Sequence, residues 1–221
     1  MQTHLPPFNL YLITDRTQTR EKDLLWVLEQ ALDGGVKAIQ LREKDLSGRE
    51  LFVVAEKVKG LCASFHAALY INDRVDVALG VDADGVQLGT HSMPVKTARA
   101  LLGHDKLIGA STHSVREALD AEHAGADFIL FGPVYFTPSK AAYGKPQGLV
   151  PLKKVVEKSS LPVYAIGGIK AENIPEVIGT GIRGVALISA ILGALDPRTA
   201  AQEILGTLKQ GRARWKSRKQ Y

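Results

Sequence analysis

The stretch Pro162–Ile169, PVYAIGGI, decides how the chain is read. Val163, Tyr164, Ala165 and Ile166 form a short apolar run without polar alternation, which fits a parallel strand covered on both faces. The run stops at Gly167 and Gly168, and a helical pattern begins at Lys170. Paired glycines permit a sharp strand-to-helix turn, and they also let an oxyanion approach bare backbone N–H groups. On this stretch alone a tight turn and a phosphate cradle both remain open. Val185–Ile188 repeats the run and ends at Ser189, whose hydroxyl and amide would complete such a cradle.

Working outward, eight such runs recur: Leu10–Thr14, Ala38–Leu41, Ala68–Ile71, Gly85–Leu88, Leu107–Ala110, Phe128–Phe131, Val163–Ile166 and Val185–Ile188. Helical spacing separates them, as in Leu24, Leu25, Leu28, Ala31 and Leu32, then Leu51, Val54, Ala55, Val58 and Leu61. Asp23, Ser47, Ser114 and Asp196 are expected N-caps, and Gly34, Gly125 and Gly181 expected helix stops. The alternation predicts a single-domain α/β fold, a (β/α)8 TIM barrel over residues 1–208, with a basic C-terminal tail at 209–221. A doubly wound open sheet would be expected to carry a GxGxxG after its first strand, and none is there.

The 221 residues, 45% hydrophobic, suffice for one large core. The opening residues lack a basic region followed by an apolar run, and no apolar stretch approaches a spanning length, so a cytoplasmic protein without membrane contact is expected. Cys62 is the only cysteine, which excludes an intrachain disulfide and a cysteine zinc cluster. The net charge of +5 is concentrated in Lys209, Arg212, Arg214, Lys216, Arg218 and Lys219. Without those six the body is nearly neutral. The tail reads as a solvated, frayed end rather than a nucleic-acid arm. A homo-oligomer stays open.

In a barrel, chemistry belongs at the C-terminal strand ends. The polar residues gather there: Thr14 and Asp15; Gln40, Arg42 and Lys44; Asn72 and Asp73; Ser111, Thr112 and His113. Gln40, Arg42 and Lys44 alternate along a strand end, and an arginine fork with a lysine suits a polyanion. A solvated loop with Glu43 as counterion is equally compatible. Asp73 could hold a magnesium ion that bridges phosphate oxygens, pair with Arg74, or cap the next helix. The segment Gly132–Gly148, with Lys140 and Lys145, reads as a lid over a charged substrate, or as a surface loop.

The strings QLREK, IND, ADGVQLG, GASTHS, GADFILFGPV, TPSK, AIGGI and ALISAI, in this order from Leu10 to about Leu208, resemble the thiamine phosphate synthase and TenI superfamily. The resemblance implies a (β/α)8 barrel and a transferase of thiamine biosynthesis. That enzyme joins hydroxymethylpyrimidine diphosphate to a thiazole phosphate with Mg²⁺ and releases diphosphate. It implies that Gln40 and Ser111 contact the pyrimidine, that Arg42, Lys44, Asn72 and Lys140 hold the diphosphate, and that Asp73 takes the metal. Thr137 and Ser139 would meet the thiazole partner, with its phosphate on Gly168, Ile188 and Ser189. The sequence departs from the family where Ser92 replaces a second metal-binding aspartate and where Ser139 replaces a threonine. The TenI branch supplies the alternatives, a thiazole tautomerase with His113 as acid and base, or a non-catalytic regulatory barrel. Asp73 and the cations Arg42, Lys44 and Lys140 favour the synthase.

Overall fold

Eight parallel strands close into a barrel in sequence order, each bonded to its neighbours and the last to the first. The structure is a computed structural model that describes residues 6–137 and 145–218. The strands are β1 Leu10–Ile13, β2 Ala38–Leu41, β3 Ala68–Asn72, β4 Gly85–Leu88, β5 Leu107–Thr112, β6 Phe128–Phe131, β7 Val163–Ile166 and β8 Gly184–Leu187. The helices are α1 Leu24–Asp33, α2 Gly48–Ser64, α3 Val75–Gly80, α4 Val95–Leu102, α5 Val115–His123, α6 Leu149–Lys158, α7 Ile174–Ile178, α8 Ser189–Leu192 and α9 Pro197–Arg218. A short 3-10 turn spans Arg16–Gln18. Closure sets Leu10 opposite Val185 and Leu12 opposite Leu187.

The helices begin where side chains can satisfy their free N–H groups. Asp23 accepts from the Trp26 N–H at 3.0 Å, Ser114 from Glu117 at 3.1 Å, and Asp196 from Thr199 at 3.1 Å. Ser47 and Glu50 form a reciprocal capping box. One stripe of each helix then meets the sheet, through Val27, Leu28, Ala31 and Leu32 in α1 and Leu51, Ala55, Val58 and Cys62 in α2.

Two apolar shells result. The outer one lies between strands and helices. The inner one fills the N-terminal part of the barrel with Tyr11, Tyr70, Phe128 and Tyr164, closed by Phe8, whose ring lies 5.2 Å from Tyr11 and 5.0 Å from Tyr164. Large rings fit because strands opposite them carry glycine. A Cβ on Gly109 would meet the Phe128 ring at 2.5 Å, and one on Gly184 the Tyr164 ring at 2.7 Å.

The boundaries differ from the sequence expectation by one residue at β1, which ends at Ile13, and at β3, which ends at Asn72, and more informatively in three further places. β5 runs two residues further, to Thr112, because its end keeps pairing with Phe131. β8 ends at Leu187, and Ile188 leaves the strand at φ −118° and ψ −87° to start the short α8. Residues 209–218, expected to fray, continue α9: Leu208 is fully buried and Trp215 packs on the outer shell. Their apolar spacing lets the helix keep docking despite its charge. Among the described residues no helix is long and apolar enough to cross a membrane.

Candidate active site

Strand ends at the C-terminal mouth are tied to each other before any ligand is considered. Thr14, wholly buried, donates its N–H to the Gln40 carbonyl at 2.9 Å, and its hydroxyl accepts the Arg42 N–H at 2.9 Å. That double tie fixes the path of Gln40-Leu41-Arg42 as it leaves β2. Glu43 is not the counterion of a solvated loop: its side chain is 2% exposed and receives both the Arg16 N–H and Arg16 Nη1 at 3.1 Å. Arg16 also forks onto Asp45. Glu43 is thereby engaged by Arg16 rather than by Arg42 or Lys44. Asp15 stands near Arg42. Burial pushes its carboxyl up, but hydrogen bonds from Thr17 and Gln18 and the Arg42 charge outweigh this and hold it below the usual range.

The ends of β3 and β4 form a second cluster. Asp73 adopts φ +62°, a left-handed conformation that aspartate tolerates better than most residues. Its N–H donates to the Gln87 carbonyl at 3.0 Å. Its carboxylate accepts from Asn72 Nδ2 at 2.8 Å and from the Ser92 hydroxyl. Ser92 Oγ in turn accepts the Gly89 N–H at 2.6 Å. Asn72, Asp73 and Ser92 are thus in one connected group, which neither Arg74 nor helix capping claims: Arg74 pairs with Asp76 instead.

Between these clusters lies a polar floor above the aromatic rings. Gln40 and Gln87 are 2% and 1% exposed, and Gln87 Nε2 donates to Ser111 Oγ at 3.1 Å. Gln40 Nε2 and Gln87 Oε1 are buried without a hydrogen-bond partner. Buried polar atoms left in that state are costly and favour a ligand or water that satisfies them. Sequence reasoning gave Gln87 no role, although a glutamine between Val86 and Leu88 in a wholly buried strand is the signal. Beyond Ser111, the exposed His113 turns towards β6, where its Nδ1 donates to the Gly132 carbonyl.

The opposite rim is built from β7 and β8. Gly167 and Gly168 take φ +95° and +64°. A Cβ on Gly168 would stand 2.6 Å from the Phe136 carbonyl oxygen, so the sharp turn requires glycine there. Asn173 Nδ2 donates to the Gly168 carbonyl at 3.0 Å, and Gly168 lines a cleft of about 450 Å³. Phe136, Thr137, Gly168, Lys170, Ser189 and Glu203 line it. The base of the Gly132–Gly148 segment is pinned on this rim. Tyr135 N–H donates to Gly167 O at 3.0 Å and its hydroxyl to Glu176 at 2.5 Å, while Gly148 N–H reaches Val134 O at 3.0 Å. Burial and the Glu176 carboxylate raise the Tyr135 pKa, so its hydroxyl stays a donor. Ser139 and Lys140, and with them the lid expectation, lie outside the described residues. Gln40, Asn72, Asp73, Ser111, Gly168, Ile188 and Ser189 all lie at or within two residues of the C-terminal end of a strand, and Thr137, six residues beyond β6, lines the cleft with Gly168 and Ser189.

Comparison with known proteins places this arrangement. The family model described as thiamine monophosphate synthase matches residues 10–191. A Desulfitobacterium hafniense thiamine-phosphate synthase is 46% identical over 198 residues, 90% of this chain and 96% of that protein. A Clostridium novyi thiamine-phosphate synthase is 43% identical over 197 residues, 89% of this chain and 97% of that protein. A solved thiamine phosphate pyrophosphorylase from Pyrococcus furiosus superposes with a TM-score of 0.84 at 42% identity, covering 92% of this chain and 96% of that one. A barrel whose mouth carries these strand ends, matched over nearly its whole length, belongs to the thiamine monophosphate synthase family.

Proposed function

We propose that the chain is a thiamine-phosphate synthase that joins hydroxymethylpyrimidine diphosphate to hydroxyethylthiazole phosphate and releases diphosphate. The observation that carries this reading is the buried pair Gln40 and Gln87 at the C-terminal end of the barrel, with the Asn72-Asp73-Ser92 group and the Gly168–Ser189 cleft at the same end. The pyrimidine ring presents donors and acceptors in a plane, and Gln40, Gln87 and Ser111 offer partners to both. Arg42 and Lys44, with Asn72 and Lys140, bind the diphosphate on the β2–β3 side. The thiazole phosphate takes the glycine rim with Gly168, Ile188 and Ser189, next to Thr137 and Ser139. The loops after strands 7 and 8, joined to a short extra helix, commonly form a phosphate site in this fold.

In the reaction the bond between the pyrimidine methylene carbon and the diphosphate oxygen breaks, and its electron pair leaves with diphosphate. The pyrimidine ring spreads the resulting positive charge, and the thiazole nitrogen lone pair forms the new C–N bond. No proton need move in that step, so the chain's contribution is orientation and stabilisation of the departing charge. Charge-assisted hydrogen bonds from Arg42, Lys44 and Lys140 contribute about 1.5–3 kcal/mol each. The donor set at Asp73 also fits Mg²⁺: one carboxylate with a hydroxyl neighbour, Ser92, suits an ion that takes its remaining ligands from substrate phosphate and water. Bound there, magnesium supplies neutralisation of the diphosphate. Among the described residues no group of three or more histidine, cysteine, aspartate or glutamate side chains is placed to hold a metal ion. The protein acts in the cytoplasm on small phosphorylated substrates.

Incubating the purified protein with both substrates and Mg²⁺ should give thiamine phosphate and diphosphate. No product at any Mg²⁺ level, with aromatisation of the thiazole tautomer instead, would replace this reading by the tautomerase.

A further inference from the structure

Asp84, Asp127 and Arg183 occupy one equivalent position in three units, directly ahead of β4, β6 and β8. The backbone treats them alike. Their N–H groups donate to the carbonyls of Leu69 at 2.9 Å, Ile108 at 2.8 Å and Val163 at 2.7 Å, near the starts of the preceding strands. The side chains diverge. Asp84 Oδ2 accepts the Leu69 N–H at 2.8 Å and pairs with Lys59 at 2.9 Å. Asp127 Oδ2 accepts the Ile108 N–H at 2.6 Å and pairs with Arg99. At β8 the charge is reversed.

Arg183 Nη2 donates to the Pro6 carbonyl at 3.0 Å, while its Nε is buried without an acceptor. The Arg212 guanidinium stands near enough for the two charges to act on each other. Arg212 Nε and Nη2 are also buried and unpartnered, and neither arginine has a carboxylate partner among the described residues. The Tyr164 hydroxyl donates to Phe8 O at 2.8 Å; burial raises its pKa, against which the Arg183 guanidinium, by charge and hydrogen bonding, and the Arg212 charge lower it. Arg212 is held in place by its helix: Leu208 is fully buried, a Cβ on Gly211 would meet Ile178 at 2.6 Å, and Trp215 packs on the outer shell. Burial and the neighbouring Arg183 depress the Arg212 pKa, the expected cost of two cations gathered without an anion. Lys209 and Arg214, exposed on the same turns, add to the positive field.

We propose that Arg183 and Arg212 form a binding site for a compact tetrahedral oxyanion of the phosphate class, at the end of the barrel opposite the candidate active site. The anion supplies beside β8 the negative charge that Asp84 and Asp127 supply beside β4 and β6. Two planar guanidinium forks suit several oxygens of one anion better than a single carboxylate. The aromatic layer separates the site from the mouth, so its occupant is not a substrate in transit.

The test titrates inorganic phosphate into the full chain labelled with ¹⁵N-arginine, at constant ionic strength set with chloride. The Nε–Hε resonances of Arg183 and Arg212, assigned through Arg→Lys variants, should shift and saturate together. In parallel, Arg183→Asp gives Arg212 a carboxylate. Without phosphate it should melt above wild type, and phosphate should then raise its Tm less than it raises that of wild type. Because both proteins keep the glycine rim, the difference isolates the arginine pair. Should Arg183→Asp misfold, Arg212→Met serves the same comparison. Resonances that ignore phosphate, or an equal phosphate-induced Tm gain in wild type and variant, would overturn the proposal.

Discussion

The side-chain amide of Gln87 donates to the hydroxyl of Ser111 at 3.1 Å across the β4–β5 pair, inside the barrel. This bond spends one lone pair of the hydroxyl and leaves its proton to point at a ligand. Gln87→Met should therefore lower kcat/KM for thiamine phosphate formation about tenfold, the worth of one such hydrogen bond. The Gln87→Met/Ser111→Ala double variant should lose little more than Ser111→Ala alone, because the two side chains act as one unit. Fully additive losses would show that they act separately.

The Ser92 hydroxyl donates to Asp73 where a second carboxylate would stand in the resembled family. Ser92→Asp should lower the Mg²⁺ concentration for half-maximal rate, and Asp73→Ala should raise it. Two carboxylates repel in the empty site, so Ser92→Asp should also melt lower without metal. A Mg²⁺ titration of the three proteins decides: identical curves remove the pair from the mechanism.

At Gly168 the added methyl of Gly168→Ala would press on Phe136 O and Tyr135 Cβ at φ +64°. The KM for the thiazole phosphate should rise about tenfold while that for the pyrimidine diphosphate changes little. Steady-state kinetics with each substrate varied separately provides the check. Equal changes in both constants would mean that the rim does not hold the thiazole end.

Among the described residues Arg16 is the one cation paired with the buried Glu43 side chain. Arg16→Met should cost about 2–3 kcal/mol in urea unfolding, since it strands a buried carboxylate. Adding Glu43→Gln should recover part of the loss. No recovery would assign the cost to the Arg16–Asp45 contact instead.

Burial pushes the Cys62 thiol from an ordinary value of 9.0 up to about 12. Between those values the unfolded chain has released the proton that the folded one still binds. Stability from this group is thus complete below pH 9 and falls by about 1.4 kcal/mol per pH unit above it. In Cys62→Ala that added alkaline slope should disappear from urea unfolding curves. At neutral pH the thiol should react with an aromatic disulfide reagent only as fast as the protein unfolds.

The barrel was legible because its eight strands are apolar at consecutive positions and its helices carry side-chain caps at Asp23, Ser47, Ser114 and Asp196. These are local signals that the tertiary structure keeps. The site was legible where polar residues close apolar strands, as Asn72-Asp73 does. Glu43 and Gln87 were misjudged or passed over for a common reason: what each does depends on a partner distant in sequence, Arg16 and Ser111. The tail misled because its charge is read along the chain, whereas its docking rests on Leu208, Gly211 and Trp215, one helical face. Nothing local in GIRG marks Arg183 as unpaired; that follows only when β4, β6 and β8 are laid side by side.

The pairing of Leu10 with Val185 has a consequence for how the protein comes into being. During synthesis β1 waits as an open sheet edge until almost the whole chain has emerged, since its second neighbour is the last strand. The helix that then locks the seam is α9, through Arg198 on Asp33 at 3.1 Å. Between the closing strand and the locking helix lies α8 with Ser189, one wall of the glycine-rim cleft. The glycine rim is therefore not finished before the barrel is. Activity and resistance to proteolysis should arise in the same step of synthesis.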